Sequence, residues 1–165
     1  WMGFADGSPV NNWNPWINSN VLAAVLIVCD EPQERKQLVE KCARSTQRFV
    51  DSYAPDGGCD EGPAYFSVAG ASVLDLLELM HAATNGAVDL YGNELIRHMP
   101  RYLMAMHIAG NYYVNFADAD ALLAPDALLL CRTGTATHDG ELVSHAKGLL
   151  HAGFAEMPYA RRRAG

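Results

Sequence analysis

Two polar segments, each running into a long apolar stretch, set the pattern of this chain. Residues 11–20, NNWNPWINSN, lead into VLAAVLIV, and residues 55–66, PDGGCDEGPAYF, lead into SVAGASVLDLLELM. Each pairing reads as a polar, aromatic loop delivered onto the start of a buried helix. Asn18 or Ser19 is placed to cap the first helix, which then runs to about Cys29. Pro32 opens the next. Over residues 33–53 the residues Leu38, Cys42, Thr46, Phe49, Val50 and Tyr53 recur at spacings of three and four, with Glu34, Lys36, Lys41, Arg44 and Arg48 between them. That is an amphipathic helix, stopped by Pro55 and the Gly57–Gly58 pair.

Pro63 can occupy a first helical turn without loss, because its missing N–H has no partner there. It predicts a helix from Ala64 to about Ala83, apolar almost all round and therefore buried, ended by Thr84, Asn85 and Gly86. Further helices are predicted over Asn93–His107, with a break or kink at Pro100, over Pro125–Arg132 and over Gly140–Ala152. Tyr112–Tyr113–Val114 reads as an extended connector or a brief strand, and Asp118 as the cap of a turn. Residues 1–18 read as irregular and Arg161–Arg163 as a frayed terminus. About six helices with short loops, no strand–helix alternation and no repeat of fixed period predict an all-α fold of helical hairpins, either part of an (α/α) toroid or an irregular bundle.

Composition narrows the functions. At 165 residues and 50% hydrophobic content the chain suits one globular domain with a real core. A net charge of -7 argues against nucleic-acid binding, which needs a basic surface. It also means that an acidic polysaccharide would need local Arg, Lys or amide groups to offset the overall field. Val21–Cys29, the longest unbroken apolar run, is too short to span a bilayer, so no membrane is expected as a partner. The chain opens on Trp1 rather than Met and reads as a fragment; its localisation stays unassigned. Of the four cysteines, Cys29 and Cys42 read as reduced core residues and Cys59 as a loop residue open to exposure; there is no C-x-x-C pair with Cys131 or any other.

Candidate chemistry centres on the polar segments. Asn11, Asn12, Trp13 and Trp16 suit a sugar platform, or else a tryptophan plug over one end of the bundle. Tyr65, in the predicted first turn of a buried helix, suits proton transfer, with the positive helix end to support a phenolate; its alternative is a core tyrosine. Asn18 suits either donation to a substrate carboxylate or plain capping. Asp56 in Pro-Asp-Gly-Gly is a turn former, and Glu61 sits where a carboxylate favours free N–H groups; a pair of glycosidase carboxylates is the other option. His138 and His145, seven apart, are expected to share a helix face, but no metal site or cofactor is expected from the scattered histidines. His107, beside Asn111–Tyr113, is the histidine expected to line a cleft.

Three segments in order, NNWNPWINSN, then YAPDGGCDEGPAYF, then YYVNFADAD, resemble the heparinase II/III-like polysaccharide lyases over about residues 8–140. The resemblance implies an α/α toroid followed by a β-sandwich, substrate bound between them, and β-elimination on uronic-acid-containing polysaccharides. A Tyr serves that family as acid and often base, and an Asn or His neutralises the carboxylate; by motif position these roles fall on Tyr65 and Asn18, with Asn12, Trp13, Trp16, Glu61 and His107 as substrate-binding candidates. The chain departs from the pattern at Ser19–Asn20, where the family has Gly-Gly, and at Phe66, where it has Trp. It carries no β-rich segment after residue 116. The expectation is therefore one helical domain over 1–165, part of a larger protein, inactive alone and prone to self-association through exposed apolar faces. An acidic polysaccharide or oligosaccharide is the expected partner, and the sparsity of basic residues near the loops argues against a heavily sulfated one. An α/α-toroid glycoside hydrolase, or a glycan-binding helical domain without catalysis, are the alternatives.

Overall fold

The computed structural model describes residues 10–156, with side chains to His151. Six α-helices carry the described chain: α1 (Trp13–Val28), α2 (Pro32–Ser52), α3 (Gly70–Ala83), α4 (Glu94–Met106), α5 (Ala127–Ala136) and α6 (Gly140–Glu156). A single 3-10 turn, Tyr65–Ser67, precedes α3, and a small antiparallel pair, β1 (His107–Ala109) and β2 (Tyr112–Tyr113), follows α4. The fold is all-α. Helices α1 and α2 pack on one another, as do α5 and α6, and α1 also lies against α3. Arg161–Arg163 and residues 1–9 lie outside the described residues.

Helix α1 begins five residues earlier than Asn18 and absorbs most of the polar segment that its sequence marks as a loop. Asn11 makes this possible: its Oδ1 accepts the Trp13 N–H at 3.2 Å, while its carbonyl accepts from Asn14 N at 2.9 Å. Pro15 then falls in the first turn, where a missing N–H costs nothing. The expectation that Asn18 or Ser19 caps the helix is thus corrected. Asn18 lies inside the helix and is wholly buried. Its amide nitrogen donates to the Asn14 carbonyl at 2.8 Å and to Ser45 Oγ of α2 at 3.0 Å, and Asn14 Nδ2 donates to the same hydroxyl at 2.9 Å. Two amides one helical turn apart therefore converge on one serine.

The second helix matches its sequence pattern, with Cys42, Thr46 and Phe49 buried and Ser45 joining them. The predicted helix over 64–83 divides. Ala69 breaks the helical path at φ -99, ψ -97, and Gly70 starts α3 with the Phe66 ring lying where a side chain would be, 2.6 Å from its virtual Cβ. Gly is also a poor helix former. The rest of α3 is the core helix expected: Val73, Leu74, Leu76 and Leu77 are all buried. By length and composition alone Tyr65–Ala83 would reach across a bilayer; half of it is buried within the protein. Helix α4 keeps going through Pro100, and Asn93 caps it by accepting from Leu95 N and Ile96 N. Asp126 caps α5 likewise, and Tyr112–Tyr113 proves to be a brief strand.

The main core gathers Phe49, Phe66, Val73, Leu74, Met99, Tyr113, Leu130 and Leu142, all removed from water at roughly 25 cal/mol per Å² of apolar surface. Cys59 lies in this core rather than exposed, and burial pushes its thiol up to about 11. One ion pair locks its far side. Asp139 caps α6 by accepting from Leu142 N at 3.1 Å and takes Arg101 of α4 through two bonds of 2.5 and 3.0 Å. The Arg101 guanidinium holds the Asp139 carboxyl below its usual range. His138, paired with His145 by its spacing in the sequence, is outside any helix at φ +56, so the two do not share a helix face.

Two outcomes follow from these contacts. Ser45→Ala leaves two buried amides without their shared hydroxyl and should cost about 1–3 kcal/mol in urea unfolding. Asp139→Asn should cost a similar ~1.5–3 kcal/mol at neutral pH. Because the folded-state acidity of Asp139 is enhanced, its contribution is present above the unfolded carboxyl range and is lost as pH falls through the folded one. The gap between Asp139→Asn and the native protein should therefore close below pH ~4, and a gap that persists in acid would contradict the assignment.

Candidate functional site

Tyr65, Asn12, Trp13 and Trp16 meet in one cavity. They line it with Ala64, Ser67 and Val68, around a volume of about 430 Å³. The reason lies in the rotation of α1. With Asn14 and Asn18 turned inward to Ser45, the helix presents Trp13 and Trp16 on its outer side, 50% and 41% exposed. Their rings stand 5.2 Å apart at 39°. That exposure suits a stacking platform better than a tryptophan plug. Tyr65 arrives from the opposite wall on the 3-10 turn, itself partly exposed. It does not sit in the first turn of α3, so the expected help from a long helix's positive end is corrected: Tyr65 carries its own turn, its carbonyl accepting from Val68 N and Ala69 N.

Asn12 connects this cavity to the next. Its Nδ2 donates to Glu61 Oε2 at 2.7 Å, tying the start of α1 to the Gly-rich loop. Both residues line a second cavity of about 310 Å³, with Asn11, Ser52, Tyr53, Cys59 and Asp60 among its walls. Burial, together with the negative charges of Asp60 and Asp118, raises the pKa of Glu61, against the pull of the Asn12 amide. A carboxyl raised in the fold binds its proton more tightly there than in the unfolded chain, so ionised Glu61 detracts from stability as pH climbs through the carboxylate range. Burial lifts the Tyr53 phenol far above its usual value, and pushes Tyr102, whose hydroxyl donates to the Cys59 carbonyl, up to about 12. These two are neutral structural groups at any physiological pH. Asp56 makes the turn expected of it, accepting from Gly58 N at 2.9 Å.

The third sequence segment docks on the second at Gly62. This glycine has φ +91, and a Cβ on it would lie 2.5 Å from the Phe116 carbonyl oxygen and 2.7 Å from Ala119 Cβ. Only glycine allows both the backbone angle and the approach. All three segments, near residues 12, 61–65 and 116–119, thus come together.

Two of the sequence-selected residues stand apart. Asn18 is beneath the cavity rather than in its wall, with its amide donors spent on Asn14 and Ser45, so it is not open to a ligand as folded. Asn11, by contrast, is exposed on the wall of the neighbouring cavity. His107 packs between the rings of Tyr113 at 4.9 Å and His145 at 5.0 Å, its Nε2 against the Gly110 carbonyl, and lines neither cavity. Burial and the neighbouring His107 hold His145 below the usual histidine value. Ser67 and Val68 join the wall because the helix breaks at Ala69, and Ser45 controls α1 from behind; none of the three carried a sequence signal of its own. No group of His, Cys, Asp and Glu suited to a metal occurs among the described residues. No family model matches this chain, and no curated protein matches it.

Gly62→Ala should displace the 116–119 loop and cost at least about 1–3 kcal/mol through the left-handed angle alone. Urea unfolding reads the loss, and a change of less than half that size would mean that the junction is looser than described.

Proposed function

We propose that this chain is the helical part of a polysaccharide lyase that cleaves uronic-acid-containing glycans by β-elimination, its hairpins forming part of an (α/α) toroid. The observation that carries the reading is the cavity where Tyr65 faces Trp13, Trp16 and Asn12, beside Glu61. Tryptophan rings stack on the apolar faces of sugars, amides and carboxylates bond hydroxyls, and a phenol at the same opening can move a proton.

In such an elimination a base takes the proton next to the uronide carboxylate. The electron pair forms a ring double bond, the bond to the glycosidic oxygen breaks, and that oxygen takes a proton. Tyr65 is the group we assign to the leaving oxygen, and as phenolate to the proton abstraction. The resemblance gives carboxylate neutralisation to Asn18. In the fold Asn18 fixes α1 on α2, so we assign it the positioning of the platform, and Asn11 is the amide with access to a substrate carboxylate.

One observation favours a second reading. Glu61, with its raised pKa and Asp60 alongside, has the character of a glycosidase acid. A helical toroid hydrolase would use that pair and leave Tyr65 a bystander.

The deciding experiment follows the ultraviolet absorbance of the longer protein, of which this reading makes the chain a part, incubated with a panel of uronic-acid polysaccharides. Rising absorbance reports an unsaturated uronide and supports elimination; new reducing ends without it support the hydrolase. Glycan binding without either product supports the non-catalytic alternative. Tyr65→Phe should lower elimination by about 10²-fold or more while glycan binding persists, and a variant that retains full lyase turnover removes Tyr65 from the chemistry.

A further inference from the structure

The cavity of Tyr65 does not end at the tryptophans. Trp13 and Trp16 also border a shallow trough along the outer side of α1, with Ile17, Asn20, Val21 and Ala24. On the other side, Asn12 joins the Tyr65 cavity to the one walled by Asp60 and Glu61. The three hollows lie side by side, sharing Asn12 on one side and Trp13 and Trp16 on the other. From Trp13 to Ala24 the helix rises ~16 Å, enough for more than one sugar ring beyond the reaction centre.

Its charge is distinctive. None of residues 11–29 is charged. Among the described residues, no Lys or Arg lines any of the three hollows, and the charged groups that do are Asp60 and Glu61. Four described arginines are engaged elsewhere: Arg101 with Asp139 and Glu141, Arg132 with Asp75 and Glu78, Arg44 with Glu40, and Arg35 on the Cys29 carbonyl.

We infer that this surface selects unsulfated glycans, with the uncharged α1 trough taking neutral sugar faces and Asp60 and Glu61 turning away chains that carry sulfate. The inference rests on the reading of the groove as a glycan site. A uronide chain brings its carboxylate to the reaction centre, where an amide can receive it. Each sulfate adds charge that nothing on this surface neutralises, and like charges set face to face weaken association. The repulsion is between partly exposed groups and is screened by salt.

The test measures binding of the 165-residue chain to three pairs that share a sugar backbone: heparosan and heparin, unsulfated and sulfated chondroitin, alginate and sulfated alginate. At low salt at least one unsulfated member should bind, and its sulfated partner about tenfold more weakly or less, a difference of ~1.4 kcal/mol. The gap should narrow at high salt and in Glu61→Gln, whose side-chain carbonyl still accepts the Asn12 bond, and in Asp60→Asn. Equal or tighter binding of the sulfated member, lost in Trp13→Ala and Trp16→Ala, overturns the selectivity while leaving the glycan groove standing. Binding undiminished by those tryptophan variants, or no binding to any member, overturns the groove itself.

Discussion

A helix that buries its asparagines and exposes its tryptophans is the constraint on which the candidate site depends. Apolar residues lie on both sides of α1, so hydrophobicity alone does not fix its rotation. The Asn14 and Asn18 amides add the deciding contacts because both find the Ser45 hydroxyl on α2, and Asn18 also reaches the carbonyl one turn behind. These bonds pair the amide nitrogens, and a buried donor left without its partner costs ~1–3 kcal/mol. Leu22 and Val25 continue the inward stripe below them. Trp13 and Trp16 are then left on the surface because the rotation is already fixed.

The second constraint is steric. Gly62 lets the Phe116–Ala119 loop come to rest on the Gly-rich loop, and Asn12 reaches across to Glu61 from the start of α1. Neither contact is large. Together they bring segments about fifty residues apart in sequence to one surface, with the compact core of α3, α4, α5 and α6 behind them. The break at Ala69 adds the last element, because a helix continuous from Ala64 would carry Tyr65 on a rigid first turn of α3. Here it sits on a separate 3-10 turn that faces the tryptophans.

These arrangements bear on the proposed chemistry in different ways. The phenol, the ring pair and an amide are assembled at one opening. The amide that the family resemblance selects, Asn18, has been drawn into the structural seam, and Asn11 remains on the surface. Among the described residues that line the groove the charged ones are Asp60 and Glu61, with Asp118 near enough to act on Glu61, so its charge is carboxylate and its other polar groups include amides. That combination fits a sparsely charged glycan better than a densely charged one.

The sequence by itself determined the helical class, the amphipathic stripe of α2 and the apolar character of α3, and it left Tyr112–Tyr113 as either an extended connector or a brief strand. Each depends on periodicity or on neighbouring residues, which local composition encodes. It also singled out Asn12, Trp13, Trp16, Glu61 and Tyr65, whose residue types are unusual for loops. Tertiary structure alone decided the early start of α1, the inward turn of Asn18, the split before α3, the burial of Cys59, and the removal of His107 to a cluster with Tyr113 and His145. The inward turn of Asn18 depends on Ser45 and the placing of His107 on His145, both far along the chain, while the split before α3 depends on how the Phe66 ring packs against Gly70. A periodic pattern shows which faces a helix has; only the packing partner settles which face is turned inward.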